Sequence, residues 1–169
     1  NIDQVFLLIT TDNPPTSTSF IDRFLVTAEA SGIKAVLLFN KIDLYNPESE
    51  VVVEDLIQTY SKIGYDYLKI SAKKGANLNS LKAIMKDKTN MFSGHSGVGK
   101  STLVNAIEPA LNLKTKAISE MHQQGQHTTT FAEMFDLSFG AHIIDTPGIK
   151  GFGVVDMDSA ELDLSLIHI

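Results

Sequence analysis

The chain has 169 residues, 43% of them apolar, a net charge of −6 and no cysteine. That length suits one domain with a real core, and the acidic balance argues against a self-sufficient nucleic-acid or anionic-membrane surface. The missing Cys leaves no disulfide and no thiolate metal site within these residues. The longest apolar runs, Val5–Ile9 and Ala35–Phe39, are too short to span a bilayer, which takes roughly 20 residues.

The lack of Cys fits a reducing cytosol, though other settings would suit it as well, and no secretory signal is in view. The chain starts at Asn1 without Met and is expected to lack its natural N-terminus. Val5–Thr10 is the first predicted strand, a continuous apolar run of the kind that a sheet covered on both faces requires. Phe20, Ile21, Phe24, Leu25 and Ala28 follow at helical spacing, behind Ser/Thr caps at 16–19 and ahead of Gly32. A second strand, Ala35–Asn40, runs into "NKID". A second helix rests on Val52, Val53, Leu56, Ile57, Tyr60 and Ile63 and stops at Gly64. Tyr65–Ser71 is a third buried strand, leading into "SAK". Leu78, Leu81, Ile84 and Met85 predict a third helix.

Asn90–Ser93 is then a short strand, "GHSGVGKS" a glycine-rich loop, and Leu103, Val104, Ile107 and Leu111 a fourth helix. From Asn112 to Thr130 the chain turns polar, and structureless loops beyond roughly 12–15 residues are usually functional or disordered. Phe131–Ser138 alternates imperfectly and predicts a strand near a sheet edge; Ala141–Asp145 is the last buried strand. An acidic stretch, Asp156–Glu161, precedes "LDLSLIHI", Leu162–Ile169, which carries no turn or cap tying it to the rest. It is expected to be a non-native or truncated tail, the alternative being the start of a C-terminal helix. Strands alternating with helices over residues 1–161 predict an α/β domain with a mainly parallel sheet covered on both faces.

The chemistry lies at the strand ends. "GHSGVGKS", Gly94–Ser101, satisfies the phosphate-loop pattern G-x-x-x-x-G-K-[ST] in full, between a predicted strand and a predicted helix. The stretch Gly94, His95, Ser96, Gly97, Val98 and Gly99 is expected to wrap phosphates with its backbone N–H groups, and Thr102 follows in the first helical turn. Lys100 should reach the β- and γ-phosphates and Ser101 should ligate Mg²⁺. "DTPG", Asp145–Gly148, places a carboxylate at a buried strand end, where it holds Mg²⁺ through water, and Gly148 offers an N–H to the γ-phosphate.

In "NKID", the Asp43 carboxylate can accept from guanine N1–H and the exocyclic amino group, donors that adenine lacks there. Asn40 suits the Hoogsteen side of the purine, and the Lys41 stem can cover its plane. Alone, "NKID" would read as an exposed polar turn. "SAK", Ser71, Ala72 and Lys73, supports the sharper reading, since the Ala72 N–H can meet guanine O6.

Taken together, NKID, SAK, GHSGVGKS, HTTT and DTPG resemble the motif set of the translation-factor-related GTPases in rotated order. The stretches "GHSGVGKSTLVNAI", "GQHTTTF" and "IIDTPGIKGFG" are similar to the ribosome small-subunit-dependent GTPase A family, over about Val5–Gly153. The resemblance implies a circularly permuted, three-layer P-loop NTPase fold of the Ras-like GTPase type, with the usual last helix and first strand joined through Asn77–Asn90. It implies GTP and GDP as ligands, Mg²⁺ as cofactor, and the small ribosomal subunit with its rRNA as partner of a cytoplasmic monomer. Members also carry an OB-like RNA-binding domain before the GTPase region and a zinc-binding domain after it. Neither is expected within these residues, so any Zn²⁺ belongs outside them.

By the same resemblance, residues 112–130 hold the first switch. Thr128, Thr129 or Thr130 completes the Mg²⁺ site, with Thr129 the expected ligand; Lys100, Ser101 and Thr129 are then the catalytic set. Ile149 and Lys150 stand where a Ras-like enzyme has its water-orienting Gln, and Arg23, the only arginine, is expected on a solvated helix face. Slow hydrolysis stimulated by the small subunit follows. Gly97 stands where some relatives place a potassium-binding Asn. The five histidines match no zinc spacing. The alternatives are a permuted GTPase serving the large subunit, a non-hydrolysing guanine-nucleotide switch, and an ATP-dependent phosphotransferase, which Asp43 disfavours.

Overall fold

A computed structural model describes residues 1–111 and 133–145. The two longest apolar runs form its central strands, β1 (Gln4–Ile9) and β2 (Lys34–Phe39), paired in parallel from Gln4↔Lys34 to Ile9↔Phe39. Side chains alternate across a strand, so each run feeds two cores. Val5, Leu7, Ile9, Ala35, Leu37 and Phe39 enter one, under helices α1 (Thr18–Ala30) and α2 (Pro47–Ile63). Phe6, Leu8, Val36 and Leu38 enter the other, under α3 (Leu78–Met85) and α4 (Lys100–Ile107). Every one of these strand side chains is buried.

The remaining strands are β3 (Asp66–Lys69), β4 (Thr89–Ser93), β5 (Glu133–Asp136) and β6 (His142–Asp145). The six-stranded sheet runs β3-β2-β1-β4-β6-β5, and every pair is parallel except β5–β6. The chain steps outward from β1 to β3, then crosses back beneath the sheet through α3 to place β4 on the other side of β1. This order fits the permuted α/β sheet that the sequence leads one to expect, with the chain entering at an interior strand. The parallel strands all end at one edge, and there the loops meet.

Local chemistry sets the helix ends. Ser17 caps α1 by accepting the Phe20 N–H (3.2 Å). Asn46 caps α2 by accepting from Ser49 N (2.8 Å), with Pro47 in the first turn, and α2 ends at Gly64 with φ +109°.

Three expectations need correction. Tyr65–Ser71 is not buried throughout: β3 lies at the outer edge of the six-stranded sheet among the described residues, with Tyr67 44% exposed, and only Ile70 and Ser71 after it are fully buried. In α2, only Val53, Ile57 and Tyr60 are buried; Val52 (49% exposed) and Ile63 (66%) turn to solvent, since a helix lying over one sheet face buries a narrower stripe than the apolar spacing permits. The fourth helix stops at Ile107, and Leu111 closes a separate 3₁₀ turn, Pro109–Leu111, as Pro109 lacks the N–H to extend the helix. Phe131–Ser138 was expected near an edge, and β5 is the antiparallel edge strand. The polar stretch Asn112–Thr130, with Thr128, Thr129 and Thr130, lies outside the described residues. So do Gly148, Ile149, Lys150 and Leu162–Ile169.

Candidate functional site

Parallel pairing brings the end of β2 (Asn40), the end of β3 (Ser71) and the end of β4 (Gly94) to one sheet edge, with Asp145 closing β6 at the same side. The phosphate loop, Gly94–Gly99, connects β4 to α4. Its glycines have φ of +143° (Gly94), +87° (Gly97) and +105° (Gly99), values that side chains adopt only with strain. Space is as restrictive as conformation at two of them. A Cβ on Gly94 would stand 2.8 Å from the Leu8 carbonyl, and one on Gly99 2.5 Å from Asn40 Nδ2.

Within this loop, Val98 is fully buried, and the Lys100 ammonium donates to the carbonyls of Gly94 and His95 (3.0 Å to the latter). Burial holds Lys100 below the ordinary lysine pKa. Ser101 and Thr102 occupy the first turn of α4; Ser101 is half-buried and Thr102 exposed, as is Ser96. The His95 ring packs against Phe20, tilted by 33° with 4.0 Å between centroids.

On the base-reading side, Asn40 is 2% exposed, and both ends of its side-chain amide are hydrogen-bonded. Its Nδ2 donates to the Val98 carbonyl (2.8 Å), and its Oδ1 accepts the Ala72 N–H (3.0 Å). One side chain therefore ties the phosphate loop to the SAK turn. The Ala72 N–H expected at guanine O6 already has a partner in Asn40, so O6 must share it; the second Nδ2 hydrogen is the donor that suits purine N7.

Lys41 takes a left-handed conformation (φ +65°), and its ammonium donates to the carbonyls of Asn13 (2.7 Å) and Gly97 (2.9 Å). That fixes the stem across the cleft. Ser71 is buried and donates to Asp43 Oδ1 (2.6 Å) while accepting the Lys74 N–H (3.0 Å). A carboxylate has about four acceptor positions, so Ser71 orients Asp43 and leaves capacity for two guanine donors. Asp43 and Lys73 are exposed.

Among the described residues, no cluster of three or more His, Cys, Asp or Glu side chains could hold a metal by itself. Mg²⁺ characteristically takes one or two protein ligands plus phosphate oxygens, and Ser101, next to Lys100, is placed for that arrangement. The Asp145 backbone ends β6; Gly148 and Thr129 are outside the described residues.

Arg23 departs from expectation. It is half-buried, its Nε donates to the Ser19 carbonyl (3.3 Å), and Nη1 is shut from solvent with no hydrogen-bond partner among the described residues. Two contributors escaped the sequence reading. The β1–α1 loop supplies the Asn13 carbonyl to Lys41, and its Pro14 comes within 3.4 Å of where a Gly97 Cβ would stand. Tyr45 donates to the Asn40 carbonyl (3.3 Å) from behind, and burial raises its pKa well above the ordinary tyrosine value. The available signal was positional, since "TDNPP" follows the strand that lies between the two motif-bearing strands.

A family model described as RsgA GTPase matches residues 1–155. A protein of Christiangramia forsetii named small ribosomal subunit biogenesis GTPase RsgA is 67% identical over 162 residues, covering 96% of this chain and 51% of that protein. Its namesake in Flavobacterium psychrophilum is 64% identical over 165 residues, covering 96% and 50%. The crystal structure of YjeQ from Thermotoga maritima superposes with a TM-score of 0.74 at 39% identity, over 90% of this chain and 49% of that one. YloQ, described as a circularly permuted GTPase, gives 0.67 at 32%, over 93% and 47%. The chain spans about half the length of the curated relatives it matches.

Proposed function

The chain belongs to the RsgA GTPase family, and on that footing we propose that it binds GTP with Mg²⁺ and hydrolyses it to GDP and phosphate, as a timer in maturation of the small ribosomal subunit. The observation that carries the reading is the Asn40 side chain, which joins Val98 of the phosphate loop to Ala72 of the base-reading turn. The two motifs thereby wall one cleft.

In that cleft Asp43, steadied by Ser71, accepts from guanine N1–H and the 2-amino group. Asn40 faces N7, Lys41 covers the base, and the Gly94–Gly99 backbone wraps the phosphates. On binding, Lys100 leaves its carbonyl partners for the β- and γ-phosphate oxygens. Bound Mg²⁺ neutralises charge on those oxygens; Ser101, Asp145 and Thr129 are the residues to hold it, the Asp through water. The Gly148 N–H addresses the γ-phosphate. Residues 1–161 constitute the permuted GTPase domain, 162–169 form a tail outside it, and the domain works as a cytoplasmic monomer.

With Ile149 and Lys150 in place of a water-orienting Gln, hydrolysis is slow until the small subunit stimulates it. GTP turnover by the full-length protein, measured with and without small subunits, tests this: a large stimulation is expected, and equal rates would defeat it. The same two residues favour a second reading, a switch that does not hydrolyse. Single-turnover decay of bound GTP to GDP separates the two.

A further inference from the structure

The base-reading turn that starts at Ser71 continues from an edge strand, where half of the backbone groups lack a sheet partner. Along a parallel strand, the N–H and C=O of one residue bond the same neighbour, and those of the next residue face the other way. Ile70 faces inward: its N–H donates to the Phe39 carbonyl (2.8 Å), and its carbonyl accepts the Ile42 N–H (3.3 Å). The Lys69 carbonyl and the Ser71 N–H therefore face the open side, where no further strand pairs with β3 among the described residues.

Two residues just past the turn fill that side. The Ala76 carbonyl accepts the Ser71 N–H (3.2 Å) in an isolated antiparallel bridge, and Asn77 Nδ2 donates to the Lys69 carbonyl (2.8 Å). Between Ser71 and Ala76 the chain reverses at Gly75 (φ +78°), whose N–H donates to the Ser71 carbonyl (2.8 Å). Ala76 and Asn77 thus stand in for a strand beside the site. Asn77 precedes α3, where an Asn ordinarily caps the helix by accepting from its first N–H groups. It makes no such bond here. Its backbone is left-handed (φ +60°), a conformation that Asn tolerates better than most residues, and its amide is turned back to β3.

What this tether closes is the turn that meets the base. Ser71 Oγ donates to Asp43 (2.6 Å) and accepts the Lys74 N–H (3.0 Å), while the Ala72 N–H donates to Asn40 (3.0 Å). Freedom at Ala76 and Asn77 would pass through the Ser71 bridge to Ser71 Oγ, and from there to the Asp43 carboxylate. We propose that Asn77 is a positioning residue for guanine recognition: its amide, bonded to Lys69, holds the turn through which Ser71 orients Asp43. The ligand follows from the reading above, in which Asp43 accepts from the base; the tether stands on these hydrogen bonds alone.

Asn77→Gly removes the amide and keeps the left-handed backbone without steric cost, Asn77→Asp replaces the donor with an acceptor, and Asn79→Ala, at an exposed position two residues on, is the control. The 169-residue chain is titrated by calorimetry with GDP and with inosine diphosphate, which lacks the 2-amino group that Asp43 accepts from. The ratio of the two affinities reports where the carboxylate stands. Both Asn77 variants are expected to weaken GDP about three- to tenfold and inosine diphosphate less, so that the ratio falls, while Asn79→Ala changes neither. Amide hydrogen exchange at Ser71 and Lys74 in the nucleotide-free chain reads the tether itself and should quicken several-fold in both variants. A wild-type affinity ratio, equal weakening of the two nucleotides, the same loss in Asn79→Ala, or unchanged exchange at Ser71 and Lys74 would overturn the proposal. Faster exchange in the variants of a chain that binds no GDP would contradict the guanine reading, and with it the ligand, while leaving the tether in place.

Discussion

Gly99 is where the two halves of the cleft meet. Replacing it with Ala places a methyl 2.5 Å from Asn40 Nδ2 at a φ of +105°, so both the backbone and the Asn40 bridge are strained. Strain of this kind costs about 1–3 kcal/mol. Gly99→Ala should therefore weaken GDP and GTP together by about tenfold or more, as read by titration with a fluorescent nucleotide; wild-type affinity would mean that the bridge does not organise the site. Lys100 carries a pH signature. Burial lowers its pKa, so the ammonium that binds phosphate is lost at lower pH than an exposed lysine's. Affinity for GDP should begin to fall on the alkaline side before the ordinary lysine value of 10.5 is reached, and a Lys100→Arg variant that still binds should hold its affinity there. These residues were legible in the sequence because each motif is local. Asn13 and Tyr45 were not, because their contacts come from the order of strands in space and from a hydroxyl bonding a carbonyl five residues back.

Among the elements, the joint between α3 and β4 depends on a buried amide. Asn90 is fully buried, and its Nδ2 contacts the carbonyls of Met85 (3.1 Å), Lys88 (2.9 Å) and His142 (3.1 Å), while its Oδ1 accepts from Gln4 Nε2 (2.7 Å). Asn90→Ala removes this buried amide's four hydrogen bonds, although Met85 O keeps the Lys88 N–H, Lys88 O keeps the His142 N–H and Gln4 Nε2 keeps the Ile84 carbonyl. With a lost hydrogen bond contributing about 0.5–1.5 kcal/mol net and a small cavity left behind, urea unfolding should show a loss of at least about 1 kcal/mol, and a loss near zero would mean that the joint holds without it. At the far end of α4, Glu108 accepts the Ser138 N–H (2.7 Å), which lowers its pKa below the usual 4.5. A pKa depressed on folding stabilises above the unfolded value and ceases to as pH falls through the folded one. Glu108→Gln should thus lower the thermal midpoint at pH 7, and the difference should shrink as pH falls through 4.5 and vanish only below the depressed folded value. Helix faces were only partly legible: apolar spacing nominated Val52 and Ile63, but their exposure depends on how α2 lies on the sheet, a tertiary fact. The edge position of β3 escaped for the same reason, since "YDYLKIS" is apolar enough to suit a covered strand.

At the scale of the whole molecule, the rotated motif order leaves the sheet intact because NKID, SAK, GHSGVGKS and DTPG each start at a parallel strand's C-terminal end, and moving the chain ends does not change which ends those are. The motif order and the mainly parallel sheet were legible in the sequence, whereas the strand order β3-β2-β1-β4-β6-β5 comes from pairing in space. The site's residues beyond Asp145 are a different matter, as the roles of Thr129 and Gly148 rest on motif and family rather than on geometry. What unites the rest is that Asp43 and Lys100 address the two ends of one guanosine nucleotide. Calorimetric titration of GDP, GTP, ADP and ATP into the chain, its Asp43→Ala variant and its Lys100→Ala variant tests this most directly. The guanine nucleotides should bind at least about 10³-fold more tightly than the adenine ones, Asp43→Ala should erase that ratio, and Lys100→Ala should weaken all four while preserving it. Equal binding of ATP and GTP, or a ratio untouched by Asp43→Ala, would contradict a shared cleft.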